Sequence, residues 1–438
     1  MDAALLGIAG FILILVLMAM GAHVSVAIGV PALLGLFYLM GLTPTFEVIS
    51  SQIFGLATDY SFTAVPLFIL MGYISMVSGI TASAFNGAAV WLNRIPGGLG
   101  MAACVASVPI GACMGSGTSA TAVLTQISVP EMLKHKYNKS FATGIVASTA
   151  TVDVLIPPSI MMVVYAISTE VSLGQVMLAG YLPGLLSVLI YIAYIYIRVK
   201  LNPSLAPEVS QVKITMFDRF KAFKDMWGIF VLFIVLFGGI YTGLFTATEA
   251  AALAAFTAFI LLLIKRKFTW PTLKTGILET VQVTAVLFML LVCSVFFVVF
   301  IAATGLPQVI SNVIVAANLP VWAFLGVIMV LYLFLGCFLP SIASLLLTIP
   351  ILLPVLNSLD VNLIWFGILF LKMTEVGAIT PPFGMSVYIV KGVLGDQITL
   401  GEVFRGILPF ILLELGTLVI LMAFPVITMW LPNTMWTP

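Results

Sequence analysis

Residues 153–159 read DVLIPPS and residues 378–384 read AITPPFG, each placing two adjacent prolines inside an otherwise apolar stretch. A proline within a helix removes a backbone hydrogen bond and clashes with the preceding turn, at a cost of about 3 kcal/mol. Two in succession end the helix. In hydrocarbon, interrupted backbone is tolerated only where protein or a water-filled cavity satisfies the freed groups. Asp153 adds a carboxylate, which costs about 2.5–3.5 kcal/mol at the centre of a span on insertion scales. A lone proline pair is read most simply as a kink; the same pair in two related places asks for a shared cause.

The surrounding chain shows what solvent these stretches occupy. Its 438 residues are 62% hydrophobic and 8% charged, with a mean hydropathy of +1.25. A soluble chain cannot cover that much apolar surface with so few polar residues. Apolar runs of about 20 residues recur from end to end, continuous rather than alternating, which predicts helices and not barrel strands. A net charge of +1 excludes a strongly basic nucleic-acid binder. Cys104, Cys113, Cys293 and Cys337 lack metal-ligand spacing and read as small core residues. With His23 and His135 as the two histidines, nucleophile candidates have no nearby base, so the chain is not read as an enzyme. Residues 5–20 lack a basic flank and a cleavage motif, and are read as a span rather than a leader.

Spans are expected at 3–20, 22–41, 63–80, 175–197, 227–245, 247–264, 283–303 and 403–430. Residues 43–62 are polar enough to lie in the interface, and 268–282 form an amphipathic piece. Two Gly-, Ser- and Pro-interrupted stretches, 97–133 and 321–357, predict re-entrant hairpins; 140–166 and 361–390 hold the proline breaks. Basic residues Lys134 to Lys139, those of the 198–226 connection (Arg198, Lys200, Lys213, Arg219, Lys221, Lys224) and Lys265–Arg266–Lys267 are expected on the cytoplasmic side.

Landmarks recur at an offset of 224–226 residues: Gly79 and Gly305, Asn93 and Asn318, Pro96 and Pro320, Gly111 and Gly336, Pro130 and Pro354, Pro157 and Pro381. The series predicts a duplication, 1–200 and 227–438, joined by a cytoplasmic linker at 201–226. About five crossings per half, plus one hairpin each, is an odd number, so the second copy enters the membrane upside down. Inverted repeats with helices interrupted at matched positions mark secondary transporters, with the site at the midplane. The fold class expected is therefore an all-α polytopic membrane protein built as an inverted repeat of two halves.

Each break frees carbonyls on one half-helix, suited to Na+, and amides on the other, suited to a carboxylate. Around the first hairpin's Gly115 and Gly117, residues Ser116, Thr118, Ser119 and Thr121 serve either close helix packing or ligation. Asp153 would ligate Na+, carry a proton, pair with a cation, or cap backbone at a wet edge. Glu375 is open to the same readings, with Lys372 placed to neutralise it as an i, i+3 pair. No arginine falls securely in the site; Arg94, Arg198, Arg219, Arg266 and Arg405 lie near span ends or in loops.

Three motifs, residues 111–137 (GACMGS…ATA…VPEMLKHKY), 155–165 (LIPPSIMMVVY) and 375–384 (EVGAITPPFG), resemble the large membrane subunit of TRAP transporters, the DctM-like proteins of the ion-transporter superfamily. The resemblance spans nearly the whole chain. It implies an elevator in the bacterial inner membrane that uses Na+ as coupling ion, with no other cofactor, to import a small organic anion such as a C4-dicarboxylate or sugar acid. It further implies a periplasmic binding protein and a small four-helix membrane subunit as separate partners, beside membrane lipid. Carried over position by position, substrate contacts fall on Ser116, Thr118, Ser119, Pro158, Ser159, Ser341, Ser344 and Pro382. Cation contacts fall on Met114, Gly117, Asp153, Ile156 and Pro158 at the first break, and on Gly336, Gly377, Thr380 and Phe383 at the second. Three positions depart from the family pattern. The first tip reads Met114-Gly115-Ser116-Gly117 where S-G-S-S is usual, Asp153 stands at a usual glycine, and Pro340-Ser341 stand where an Asp is frequent. The other reading is a self-sufficient Na+- or H+-coupled symporter of the dicarboxylate or citrate type.

Overall fold

A computed structural model describes residues 3–207, 215–317 and 319–435. Lys213 of the basic connection and Asn318 of the offset series lie outside the described residues. Among those described there are helices and turns and no strand. Seven helices among the described residues are long and apolar enough to cross a membrane, or eight when a bent pair is taken as one.

The chain opens with α1 (Ala3–Ala19) and α2 (Val24–Met40), then α3 (Leu42–Thr58), a 3-10 turn (Tyr60–Thr63) and α4 (Ala64–Val77). A short arm, α5 (Ile80–Leu92), leads to the first hairpin, α6 (Gly98–Met114) and α7 (Gly117–Lys134). The first broken helix follows as α8 (Lys139–Ser148) and α9 (Ala150–Asp153), with α10 (Ile160–Thr169) beyond the prolines, and α11 (Leu173–Leu201) closes the half.

The second half runs α12 (Met216–Asp225), α13 (Trp227–Phe233), a π-helical turn (Ile234–Gly238), α14 (Gly239–Tyr241) and α15 (Ala247–Ile264). Then come α16 (Trp270–Ala303) and the arm α17 (Leu306–Ala316). The second hairpin is α18 (Val321–Phe338) and α19 (Ser341–Ser358). The second broken helix is α20 (Leu363–Ile379) and α21 (Met385–Leu394), before α22 (Leu400–Ala423) and α23 (Pro425–Thr434). The element order of the first half thus recurs, with α15 in the place of α2, α16 in that of α3 and α4, and α17 in that of α5. Packing is exchanged in the same way: α2 lies against α16, and α15 against α4.

Several boundaries differ from those read off the sequence. The amphipathic piece at 268–282 and the span at 283–303 are one helix, α16, because Lys274 and Glu279 near its start interrupt hydropathy but not helix geometry. The last span stops at Ala423, and after Phe424 (φ −127°, ψ 74°) the chain restarts as α23 with Pro425 in its first turn. The arms α5 and α17 are helices in stretches to which the sequence assigned no element, and α12 forms within the expected linker.

Candidate substrate and cation site

Each hairpin meets a broken helix. At the end of α6, Gly115 takes a left-handed conformation (φ 64°) and its amide closes on the Gly111 carbonyl at 2.9 Å, an ending that glycine adopts without Cβ strain. Ser116 is extended, its hydroxyl 2.9 Å from that of Thr118, and α7 begins at Gly117. The Gly115 carbonyl accepts the Ile160 amide at 3.0 Å, which pins the first tip to the restart of the first broken helix. At the second tip, Leu339 and Pro340 are extended and α19 begins at Ser341. The Ser341 hydroxyl donates to the Glu375 carboxylate at 2.8 Å, pinning that tip just before the second break. The Pro157–Pro158 and Pro381–Pro382 peptides are both cis.

The tips and breaks enclose one cavity of about 320 Å³. Four helices begin at its wall: α7 through Gly117, Thr118 and Ser119, α19 through Ser341 and Ile342, α10 through Ile160 and Met161, and α21 through Met385. None of these four starts is capped by a side chain. Elsewhere α8, α11, α20 and α22 are capped by Asn138, Ser172, Asn362 and Thr399. Helices α2, α5, α6 and α18 also begin without a side-chain cap, so it is the convergence of the four starts and not their lack of caps that marks the cavity. Apart from the Ile160 amide, which the Gly115 carbonyl takes, such starts present amides without a helical partner and the positive end of the helix dipole, each favouring an anion by about 0.3–2 kcal/mol. The facing wall is apolar and comes from α4 (Ile69) and α16 (Val283, Leu287). Among the residues lining the cavity there is no lysine, arginine or histidine, and Glu375 is the ionisable group.

Two further carboxylates are buried nearby. Asp153 is 1% exposed and neither of its oxygens has a hydrogen-bond partner. It lies against α6: a Cβ added at Gly111 would stand 2.8 Å from the Asp153 Cα and 3.0 Å from Oδ1. The matching junction in the second half is glycine on glycine, with a Cβ on Gly336 only 2.4 Å from the Thr374 carbonyl and 3.1 Å from the Gly377 Cα. Glu414, fully buried on α22, forms an ion pair with the fully buried Lys372. Lys372 also donates to the Ser187 hydroxyl at 2.6 Å, and Thr151 donates to Glu414 at 2.9 Å. The Tyr191 hydroxyl meets Thr151 at 3.0 Å and the Ser148 carbonyl at 3.2 Å. Lys372 therefore serves Glu414, not Glu375 as the i, i+3 spacing suggested: burial without water demands a closely fitted partner, and α22 supplies it. Among the described residues three buried carboxyl groups stand against one buried ammonium, so those in excess call for a bound cation or a proton.

Of the residues singled out from sequence, Met114, Ser116, Gly117, Thr118, Ser119 and Ser341 line the cavity together. Asp153, Pro158, Ser159, Ser344, Gly336 and Gly377 are buried behind it, and the Ser159 and Ser344 hydroxyls are without partners. Ile156 borders a second, apolar cavity of about 470 Å³. Thr380 bonds back to the Val376 carbonyl at 2.6 Å, Pro382 is exposed, and Phe383 packs on Phe338. Thr121 bonds the Gly117 carbonyl at 2.7 Å within its own helix. Ile69, Val283 and Leu287 escaped notice because apolar residues of a span carry no local signal. Glu414 and Tyr191 escaped because their partners are distant in sequence.

The family model for the tripartite ATP-independent periplasmic transporter, DctM component, matches residues 11–427. The chain belongs to that family. It is 34% identical over 385 residues to the C4-dicarboxylate TRAP transporter large permease protein DctM of Pseudomonas aeruginosa, covering 87% of this chain and 88% of the relative. It is 31% identical over 386 residues to the sialic acid TRAP transporter large permease protein SiaM of Vibrio cholerae, covering 88% and 89%. Its fold is similar to the solved structure of the Alcanivorax borkumensis YdaH transporter, with a TM-score of 0.63 at 13% identity over 88% of both chains, a likeness of fold alone. As a DctM-family large permease, the chain is a multi-pass transport protein of the inner membrane. The large permeases of this family work with a small membrane subunit and a periplasmic binding protein.

Proposed function

We propose that this DctM-family permease imports a small organic anion, a carboxylate such as a C4-dicarboxylate or sugar acid, coupled to Na+ and delivered by a periplasmic binding protein. The observation that carries the reading is the convergence of four uncapped helix starts on a cavity without a basic side chain. Such a site holds an anion by amides and hydroxyls, and its own carboxylate, Glu375, would repel that anion unless a cation is bound. The buried carboxylate excess asks for the same cation, because an unneutralised charge in a dry interior is costly. Na+ would sit where each hairpin tip meets its break, using carbonyls freed there.

Movement follows an elevator, with the two halves as inverted copies. The hairpins, broken helices, α11 and α22 travel as one body, tied together by the Lys372–Glu414 network that reaches α9, α11, α20 and α22. The remaining helices form the scaffold. The contact between the two is apolar: the scaffold wall of the cavity is Ile69, Val283 and Leu287, and the second cavity between α6, α11 and α13 is lined by apolar side chains together with Tyr181. Smooth apolar walls resist sliding little.

The test is uptake into vesicles containing the permease and its small membrane subunit, with loaded binding protein outside. Uptake is expected to follow an imposed inward Na+ gradient and to stop without the binding protein. Full uptake with no Na+ gradient defeats the coupling, and full uptake with no binding protein establishes the self-sufficient symporter instead.

A further inference from the structure

Helix α12 has three different faces. One packs on the arm α5, with Met226 and the Ala222 carbonyl against Gly87, and with Arg219 lying 5.7 Å from the centroid of the Trp91 ring. A second, polar face carries the exposed Asp218, Lys221 and Asp225. The third is apolar and uncovered: Met216, Phe217 and Phe220 are each 77% exposed and Phe223 is 49% exposed. Their spacing is that of one helical stripe. A capping box between Thr215 and Asp218 closes the start of the helix from within, and those hydrogen bonds hold the Asp218 carboxyl below its usual range.

The other end of α12 bends by 46° into the apolar helix α13–α14. The exposed charged side chains and capping box of α12 suit the watery end of that span rather than hydrocarbon, so its phenylalanines meet the boundary between headgroups and acyl chains. Basic groups accompany them. On α12 the exposed Lys221 and Lys224 stand with Asp218 and Asp225, while Arg219 lies over Trp91. The larger positive cluster, Lys265–Lys267, lies near the other end of α5, where the Lys267 ammonium stands beside Gly79. The exposed Phe268 and Trp270 follow. Both ends of the arm thus combine aromatic rings with positive charge, the pairing that suits an interface bearing anionic lipid.

We propose that α12 lies in the plane of the bilayer as a docking surface for anionic lipid headgroups and anchors the arm α5 to that leaflet. The arm leads directly into the first hairpin, so the anchor sets the fixed end of the segment on which the hairpin moves.

The test uses the complete transporter in vesicles. The four native cysteines are buried, so Phe220→Cys accepts a bimane label selectively. Brominated phospholipid is expected to quench the label strongly and aqueous iodide weakly. The reverse order overturns the proposal, and protection from both quenchers overturns it in favour of a protein partner on this face. This readout needs no transport, so failure of the import reading leaves it intact. Wild-type uptake is further expected to be several-fold faster with phosphatidylglycerol present than in phosphatidylcholine alone, and Lys221→Gln with Lys224→Gln to lose that difference. Equal uptake by the wild-type protein in both compositions overturns the anionic-lipid assignment.

Discussion

The two junctions between hairpin and broken helix share a plan and differ in chemistry. In the second, Gly336 and Gly377 bring two backbones into contact and the charge stands two residues earlier, at Glu375, where a serine from the tip satisfies it. In the first, Gly111 keeps its place but the position matching Gly377 is Asp153, and the position matching Glu375 is Thr151. That threonine reaches away from the tip, to Glu414. The carboxylate of the first junction is therefore left unpartnered while that of the second is bonded. The two junctions share the backbone geometry that creates helix ends; the charges placed beside those ends differ.

The comparison breaks first at the network that braces both junctions. Lys372→Met leaves Glu414 buried without compensation and is expected to cost about 3–5 kcal/mol, whereas Lys372→Met combined with Glu414→Leu recovers most of that. Thermal unfolding of the detergent-purified variants checks it. A double variant as unstable as the single one would show that the hydroxyl contacts of Ser187 and Thr151 carry the brace instead.

The next effect separates the two backbone contacts. Gly336→Ala drives a Cβ toward a carbonyl that cannot move aside, and Gly111→Ala meets Asp153 at a slightly longer distance. Each is expected to destabilise by about 1–3 kcal/mol, with Gly336→Ala the worse. Equal or reversed losses in thermal unfolding would mean that the first junction is as tightly closed as the second.

Asp153→Gly gives the first junction the glycine-on-glycine contact of the second and acts in the opposite direction. Without Na+ it is expected to stabilise the protein by about 1 kcal/mol, because a buried group lacking hydrogen bonds is removed. The rise in Tm on adding Na+ should shrink together with it. An unchanged Na+ response, with unchanged Na+ dependence of uptake, would remove Asp153 from the cation site.

The breaks and hairpin tips were legible because Pro-Pro pairs and a Gly/Ser cluster are strong local signals, and a shared offset tied them together. The arms α5 and α17 were not: ITASAFNGAAVWL is short and mixed, and its helicity comes from packing on α6 and α12. The unity of α16 was hidden because hydropathy falls where Lys274 and Glu279 stand while helix propensity does not. The site was half legible. Hydroxyls at the two tips could be named from sequence, yet the partner of Lys372 lies 42 residues away on another helix, and only the fold brings them together. The uncapped helix starts were foreseen in kind from the prolines; that four of them share one cavity is a property of packing.

The most direct measurement is the reactivity of Ser116→Cys, at the first tip, toward a water-soluble thiol reagent in the assembled transporter. Na+ and the transported anion together should slow the labelling strongly, since both fill the cavity against that tip, and either alone should slow it less. A labelling rate indifferent to both would contradict the claim that the converging helix starts are where anion and cation meet.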